Sequence, residues 1–298
     1  MALAPRAVVV HRRSELDELV DRHGTRRAAE FFLATRGRTL DSAQERHDHQ
    51  EAAIGAVSAA IPADWRRGSV ERGDLDRFLF DPEDVLVVVG QDGLVANVAK
   101  YLAGQPVIGV DPDPGVNPGV LVRHAASQAE RLLPRVVAGT AALEQRTMVR
   151  ATLDDGQELV ALNEVYVGHP SHQSARYRLQ PPRIDAPERQ SSSGLIVTSG
   201  TGATGWCASI VDERGSRFPR PAPDQVGAAW FVREAWPSPA TGTSQTEGML
   251  AGGEELLVVG ESDALVVFGD GLESDRLVVG WGQGIRLGVA ERRLSLVR

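Results

Sequence analysis

The sequence VLVVVGQDG at residues 85–93 decides the fold that we expect for this chain. Its apolar, mostly β-branched half predicts a central parallel strand that is covered on both faces. A glycine turn follows at once, and a helical pattern through Val95 and Val98 begins directly after it. A second apolar run at residues 106–110 completes strand, helix, strand in close succession, which is typical of a βαβ unit.

The preceding residues fit the same class of fold. Residues 7–10 predict another buried strand. Ser14 with Asp17 has the spacing of a capping box that opens a helix, and Ser42 with Glu45 predicts the start of a second helix in the same way. Alternating strands and helices of this kind favour an open α/β sheet.

From about Arg135 the pattern changes to short strand-like runs that are separated by turn signals. Two stretches rich in proline, serine and charge, residues 180–193 and 219–225, predict loops. We therefore expect an N-terminal open α/β domain with a parallel sheet over residues 1–130 and a mainly β domain over residues 131–298. The last residues could return to the first domain. The predicted strands of the β-rich half lie at 148–153, 159–167, 175–179, 195–198, 228–232, 255–259, 264–268, 277–279 and 285–289.

Composition limits the classes of function. The chain has 298 residues, of which 42% are hydrophobic, and this suits one large or two ordinary domains. Its formal charge of −8 lacks the basic footprint of a nucleic-acid binder. No apolar run approaches the roughly 20 residues of a membrane helix, and no signal-peptide pattern opens the chain. We expect a cytoplasmic protein that binds neither nucleic acid nor membrane.

The first candidate site is the turn formed by Gly90, Gln91, Asp92 and Gly93. It follows the carboxyl end of a strand, where ligands bind in open α/β sheets, and opens a helix whose amides favour anions. A carboxylate at this position could accept the proton of an acceptor hydroxyl or hold Mg²⁺ during phosphoryl transfer. A helix N-cap is the structural alternative for Asp92.

The second candidate site is the pair Asn163-Glu164, which interrupts an otherwise apolar strand. Asparagine offers a donor and an acceptor, and a glutamate accepts hydrogen bonds from paired hydroxyls such as those of a ribose. The alternative is a β-bulge or a strand edge with solvated side chains.

The third candidate site is the sequence TSGTGATGW at residues 198–206, which follows a predicted strand. Its hydroxyls and glycines suit contact with a phosphate, a ribose or a base. The glycine spacing also matches the dinucleotide-binding pattern GxGxxG, but that fold needs a crossover helix and a second strand. Residues 207–215 are too short for such a helix, and prolines at 219, 221 and 223 exclude a regular strand.

Taken in order, the three sites resemble the motifs of the NAD kinase family. Its Gly-Gly-Asp-Gly motif is similar to residues 90–93, its Asn-Glu pair to 163–164, and its hydroxyl-rich Gly-Leu-Ile-Val loop to 194–206. The spelling of the last motif is similar to that of the mitochondrial-type NAD kinases, and Asp270-Gly271 is similar to a late turn of the family. The resemblance covers residues 80 to 290 approximately.

The resemblance implies an NAD kinase-like fold and a role for each matching position. Asp92 would be the catalytic carboxylate that activates the 2′-hydroxyl of the adenosine ribose of NAD, and ATP with Mg²⁺ would donate the phosphoryl group to give NADP. Mg²⁺ would bridge phosphate oxygens without a protein cage. The other implied site residues are Gly90, Gln91 and Gly93 for phosphate and nucleotide, and Asn163, Glu164, Thr201, Gly202, Thr204 and Trp206 for the dinucleotide.

The resemblance also implies a homodimer or homotetramer that forms through the β-rich half. Three ligand positions depart from the family pattern: Gln91 replaces a glycine, Ser193 an aspartate and Asp111 an asparagine. Two alternatives to an NAD kinase follow. One is a kinase of the same superfamily that acts on a lipid or another polyol, and the other is a non-catalytic nucleotide sensor.

Overall fold

The computed structural model describes residues 3–116, 119–216 and 218–298. The chain divides into two compact units, one formed by residues 1–144 with 295–298 and the other by residues 145–294. Within the described residues, no helix combines the length and the apolar character that crossing a bilayer requires.

The first unit is an open α/β structure. Its elements in chain order are β1 (Arg6–His11), α1 (Glu15–His23), α2 (Arg26–Ala34), α3 (Asp41–Ala60), β2 (Arg66–Glu71), β3 (Val85–Val89), α4 (Asp92–Ala99), β4 (Pro106–Asp111), β5 (His124–Ala125) and α5 (Ala129–Val137).

A parallel sheet in the order β4-β3-β1-β2 forms the centre of this unit. Every residue of β3 is buried, as the all-apolar sequence predicts, and its alternate residues Val85, Val87 and Val89 share one core with Val57 of α3 and Leu132 of α5. Residues 295 and 296 pair in parallel with the start of β4, on the side away from β3. The carboxyl ends of β1, β3 and β4 therefore share one edge of the sheet, where the 90–93 turn begins.

The capping-box prediction for α1 is confirmed, and the one for α3 is wrong. Ser14 and Asp17 exchange both hydrogen bonds of the box. Helix α3 begins at Asp41, before the predicted box of Ser42 and Glu45, and its N-cap Leu40 makes no side-chain cap bond. Leu40 is buried in the small core shared by the first three helices, so tertiary packing sets this helix start.

The second unit is mainly β. Its strands and its helix in chain order are β6 (Leu143–Leu153), β7 (Glu158–Ala161), β8 (Glu164–Gly168), β9 (Ala175–Gln180), β10 (Glu188–Ser192), β11 (Gly194–Thr198), α6 (Trp206–Arg214), β12 (Gly227–Arg233), β13 (Glu247–Ala251), β14 (Glu255–Gly260), β15 (Leu265–Gly269), β16 (Leu272–Val279) and β17 (Gly284–Val297). The first two residues of β6 and the end of β17 belong to the first unit.

Antiparallel pairing dominates in the second unit. One set of strands pairs in the order β10-β9-β14-β17, with β6 beside β17 and β7 beside β6, and a six-stranded sheet has the order β13-β12-β11-β8-β15-β16. Alternate residues such as Val165 and Val167 enter the main core of this unit. Tyr166 lies on the other face of its sheet, which α6 covers with Cys207 and Ile210.

Two sequence predictions for this half differ in outcome. The predicted loop at 180–193 is wrong in part, because Glu188–Ser192 forms β10, an edge strand that pairs with β9 and, among the described residues, with no other strand. The rejection of a dinucleotide-binding βαβ unit after residue 200 is confirmed. The strand before the glycines, β11, pairs antiparallel with both neighbours, and α6 has only nine residues.

Candidate functional site

The turn at residues 90–93 connects β3 to α4 at the carboxyl edge of the parallel sheet. The Gly90 amide donates to the Val110 carbonyl oxygen at 3.0 Å, which fixes the turn to the neighbouring strand β4. Gln91 has φ −100° and ψ 165°, a conformation that any L-residue adopts without strain. Its side chain is exposed, and no atom lies within 4 Å of where a Cβ on Gly93 would stand. The glycine-to-glutamine departure therefore leaves the backbone of this turn unstrained.

Asp92 is the first residue of α4, and its carboxylate anchors a loop. Oδ2 accepts a hydrogen bond from the Val120 amide at 2.8 Å, and Oδ1 accepts from the amides of Leu121 at 2.8 Å and Val122 at 3.0 Å. A carboxylate has about four lone-pair positions. These contacts occupy three of them and leave one position on Oδ2.

Two glycines allow this loop to come so close. A Cβ on Gly109 of β4 would stand 2.1 Å from the Leu121 carbonyl oxygen, and a Cβ on Gly119 would stand 2.6 Å from Asp92 Oδ1. Both distances are shorter than any real contact, so the absence of a side chain is required at both positions. Glycine in β4 thus lets residues 120–122 lie against the sheet and present their amides to Asp92.

The 90–93 turn opens into a cavity of about 520 Å³ within the first unit. Two arginines that the sequence reasoning missed, Arg12 and Arg46, line it together with acidic groups. Arg46 forms an ion pair with Glu15. The complete lining is Arg12, Ser14, Glu15, Arg46, Gln50, Gly90, Gln91, Asp92, Gly93, Asp111, Pro112, Asp113, Val116, Gly119 and Val122.

In the second unit, the Asn163-Glu164 turn is held by a carboxylate from a distant part of the chain. Asp270 Oδ2 accepts from the Leu162 amide at 2.8 Å, and its Oδ1 accepts from the Asn163 amide at 2.7 Å. Asp270 and Gly271 both have left-handed φ values, 53° and 67°, as a tight hairpin between β15 and β16 requires. The late Asp-Gly turn therefore positions the Asn-Glu pair.

Glu164 is partly buried at the start of β8. Burial raises the pKa of its carboxyl group to about 7, and the negative charge of Asp270 adds to this effect. Near neutral pH the group is thus divided between its acid and its carboxylate form. Carboxyl groups with pKa values in this range are characteristic of functional sites, although structural pairs also produce them.

The hydroxyl-rich loop packs directly on this turn. The Asn163 carbonyl oxygen accepts from Thr198 Oγ1 at 3.1 Å and from the Ser199 amide at 2.8 Å. A Cβ on Gly202 would stand 2.4 Å from the same carbonyl oxygen, and one on Gly200 would stand 2.0 Å from the carbonyl oxygen of Ala222. These glycines are therefore needed for close backbone packing within the unit.

The remaining predicted residues of this loop differ in their surroundings. Thr201 Oγ1 accepts a hydrogen bond from the buried Arg146 at 3.3 Å, whereas Thr204 is exposed. The Trp206 ring stacks on Tyr166, with centroids 5.7 Å apart and planes 18° apart, and the Arg233 guanidinium lies 5.0 Å from its centroid. Trp206 is thus part of an aromatic and cationic cluster on the α6 face of the sheet.

The predicted site residues therefore fall into two sets. Asp92 and its glycines belong to the first unit, and the polar pair with the hydroxyl-rich loop belongs to the second. Among the described residues, no group of three or more histidine, cysteine, aspartate or glutamate side chains is arranged to hold a metal ion.

Comparison with curated proteins identifies several relatives. The chain is 34% identical over 131 residues to the NAD kinase of Saccharophagus degradans, a match that covers 42% of this chain and 44% of that protein. It is 31% identical over 136 residues to the NAD kinase of Symbiobacterium thermophilum, covering 42% and 46%. For the NAD kinase of Chlorobaculum tepidum the identity is 26% over 143 residues, with 47% of each covered. The matches thus span about half the length of these relatives. No family model matches the chain.

Among solved structures, the chain is similar to a crystal structure of yeast NADH kinase complexed with NADH. The TM-score is 0.62 at 12% sequence identity, and the match covers 99% of this chain and 83% of the other. This likeness confirms the predicted fold class, an α/β domain with a parallel sheet followed by a mainly β domain. The curated relatives confirm the resemblance to the NAD kinase family that the motifs indicate.

Proposed function

We propose that this chain, similar in sequence to NAD kinases, transfers the terminal phosphoryl group of ATP to the 2′-hydroxyl of the adenosine ribose of NAD, giving NADP and ADP. The relatives named NAD kinase and the shared fold support the reaction class. The geometry of Asp92 carries the proposal. Its carboxylate is fixed by three backbone amides at the mouth of a cavity and keeps one acceptor position on Oδ2.

In this reaction the 2′-oxygen of NAD attacks the γ-phosphorus, the bond from that phosphorus to the bridging oxygen of ADP breaks, and the hydroxyl proton passes to a base. Asp92 would accept the hydroxyl hydrogen bond at Oδ2 and then the proton. Because its carboxylate is already oriented by the loop amides, little ordering remains when the acceptor binds. Gly90, Gln91 and Gly93 would border the phosphates of the donor.

The second set of residues would hold the dinucleotide. The Glu164 carboxyl group, with its pKa raised to about 7, can accept from one ribose hydroxyl and, when protonated, donate to another. Asn163, whose main chain is fixed by Asp270 and Ser199, would add an amide donor and acceptor. Thr201, Gly202, Thr204 and Trp206 would line the same ligand.

Mg²⁺ would be carried by the phosphate oxygens of ATP. The acidic groups of the first-unit cavity suit a metal-neutralised triphosphate, and a hydrated Mg²⁺ that retains several waters needs few protein ligands. When bound, the ion would neutralise charge on the transferring group.

A coupled assay with ATP, Mg²⁺ and NAD tests the proposal. We expect NADP to form, and Asp92→Asn to lower turnover far more than it lowers NAD affinity. Calorimetry measures that affinity separately, and thermal unfolding reports whether the loop that Asp92 anchors is lost. NAD binding without product in the wild-type protein would contradict the kinase and support a sensor. An unchanged turnover number in the variant would remove Asp92 from its role.

The oligomeric state and the cellular location are tested by separate experiments. We propose a homodimer or homotetramer through the β-rich unit, where Val278 on the edge strand β16 and Trp281 in the following turn are exposed apolar residues. Light scattering coupled to size-exclusion chromatography would contradict this if the mass is that of a monomer. A cytoplasmic location stays a prediction that cell fractionation can check.

A further inference from the structure

The cavity beside the 90–93 turn is lined by more acidic than basic side chains. Its carboxylates come from Glu15, Asp92, Asp111 and Asp113, and its cations from Arg12 and Arg46. A phosphate chain entering this space would meet more acidic than basic groups. Which anion can bind therefore depends on which of these charged side chains are already paired within the protein.

Most of these groups are already engaged. Glu15 pairs with Arg46 and also lies 3.9 Å from Arg38. Asp92 accepts the loop amides described above, and Asp113 Oδ1 lies 3.1 Å from His49 Nδ1. Because Arg46 is already paired with Glu15, it is less available to an incoming anion than an unpaired arginine would be.

Arg12 is different. It follows the last residue of β1, and because Val10 of β1 pairs with Val88 of β3, it lies at the same carboxyl edge of the sheet as Gly90. Gln50 Nε2 donates to the Arg12 carbonyl oxygen, which fixes the main chain there. Arg12 is partly buried, and among the described residues no side chain or carbonyl group is bonded to its guanidinium.

We propose that Arg12 binds the phosphate chain of the phosphoryl donor, and that it is a determinant of donor affinity. A guanidinium presents a planar fork that matches two phosphate oxygens, and such charge-assisted bonds are stronger than neutral ones. The orphan amides at the first turn of α4 face the same cavity edge and add to the attraction.

The carboxylates near Arg12 indicate in which form the phosphate chain binds. Asp111 accepts the Asp113 amide with Oδ1 at 3.0 Å, and its other oxygen has no such bond among the described residues. One cation beside several carboxylates favours a triphosphate that carries Mg²⁺ over a free, highly charged phosphate. The chemistry is that of a metal-bound triphosphate, whether it comes from a nucleotide or from inorganic polyphosphate.

The inference rests on the proposed kinase function, but direct binding tests it separately. Wild type, Arg12→Gln and Arg12→Lys would be titrated calorimetrically with Mg-ATP and with Mg-tripolyphosphate. Arg13→Gln is a matched control, because the adjacent Arg13 is exposed, pairs with Asp21 and does not line the cavity. The KM values of wild type and of each variant for ATP and for NAD would be measured as well.

We expect Arg12→Gln to weaken Mg-ATP binding and to raise the KM for ATP by about 10- to 100-fold, since a bond to a charged group is lost. Arg12→Lys should recover part of this loss, because it restores the charge without the fork. NAD affinity and the Arg13→Gln control should stay within about twofold of wild type. If Arg12→Gln weakens the binding of Mg-tripolyphosphate and of Mg-ATP by the same factor, the contact of Arg12 is with the phosphate chain alone.

Unchanged donor binding in Arg12→Gln would overturn the inference, and so would equal losses in Arg12→Gln and Arg13→Gln or a loss confined to NAD. Absence of any donor binding in the wild-type protein would also overturn it. If the wild-type protein binds Mg-ATP through Arg12 but forms no NADP, the inference stands and the proposed acceptor is wrong. Matching thermal unfolding of the variants excludes a folding defect.

Discussion

Replacing Glu164 with glutamine should stabilise the protein at neutral and alkaline pH and leave it unchanged in acid. The native carboxyl group has a pKa of about 7, compared with about 4.5 in an unfolded chain, because it is partly buried beside Asp270. Between these values the folded protein keeps a proton that the unfolded chain has released. Stability therefore falls as pH rises from about 4.5 to 7, and the cost is constant above that window.

The size of the effect follows from the same shift. It corresponds to at most about 3 kcal/mol at pH 8, since one pKa unit equals about 1.4 kcal/mol. Glutamine is similar in shape and carries no charge, so Glu164→Gln removes this cost. For a unit of this size the gain amounts to a rise in melting temperature of about 5–10 °C at pH 8 and of about 2–3 °C at pH 5.

Thermal unfolding of wild type and Glu164→Gln, measured from pH 5 to pH 8, tests the prediction. Glu273→Gln is the matched control, because Glu273 is an exposed glutamate on β16, the strand that follows the Asp270 turn. A gain in stability that is equal at pH 5 and pH 8 would refute the reasoning, and so would the same pH dependence in the control. The variant should also bind NAD more weakly, which calorimetry would measure.

Three further substitutions test contacts within the two units. Asp270→Asn places an amide donor opposite backbone amides and should cost about 1–3 kcal/mol by urea unfolding, with weaker NAD binding. Gly202→Ala should lower stability by about 1–3 kcal/mol through the clash with the Asn163 carbonyl, while Gly280→Ala, with open space around it, should not. Asp84→Asn should cost about 3 kcal/mol in thermal unfolding, because the fully buried Asp84 makes a two-point ion pair with Arg6; a melting temperature equal to wild type would contradict this.

The sequence predicted what local pattern controls. The apolar run before Gly90 predicted a central strand, and short strand-like runs between turn signals predicted most strands of the second half. The break at Asn163-Glu164 was also visible, because two polar residues interrupt an apolar run. Each of these features lies within a few consecutive residues.

What the sequence could not predict depends on contacts between distant residues. Arg12 lies just after β1 and Arg46 lies in α3, and nothing in their immediate sequence neighbourhood marks them as site residues. Strand β10 forms in a segment that lacks an apolar pattern, because β9 offers it a free edge. Asp270 reaches the Asn163 amide across 107 positions of sequence, and only the β15–β16 hairpin brings it there.

Both candidate turns are tied down by a carboxylate that reaches across to another segment: Asp92 to residues 120–122, and Asp270 to residues 162–164. The shape of each site therefore depends on one acidic side chain, which belongs to the turn itself in the case of Asp92 and to a distant hairpin in the case of Asp270. The other side chains of the 90–93 turn can then differ, as Gln91 does without backbone strain. Redesign of ligand preference in this chain should accordingly alter residues such as Gln91 and leave both tethering acids intact.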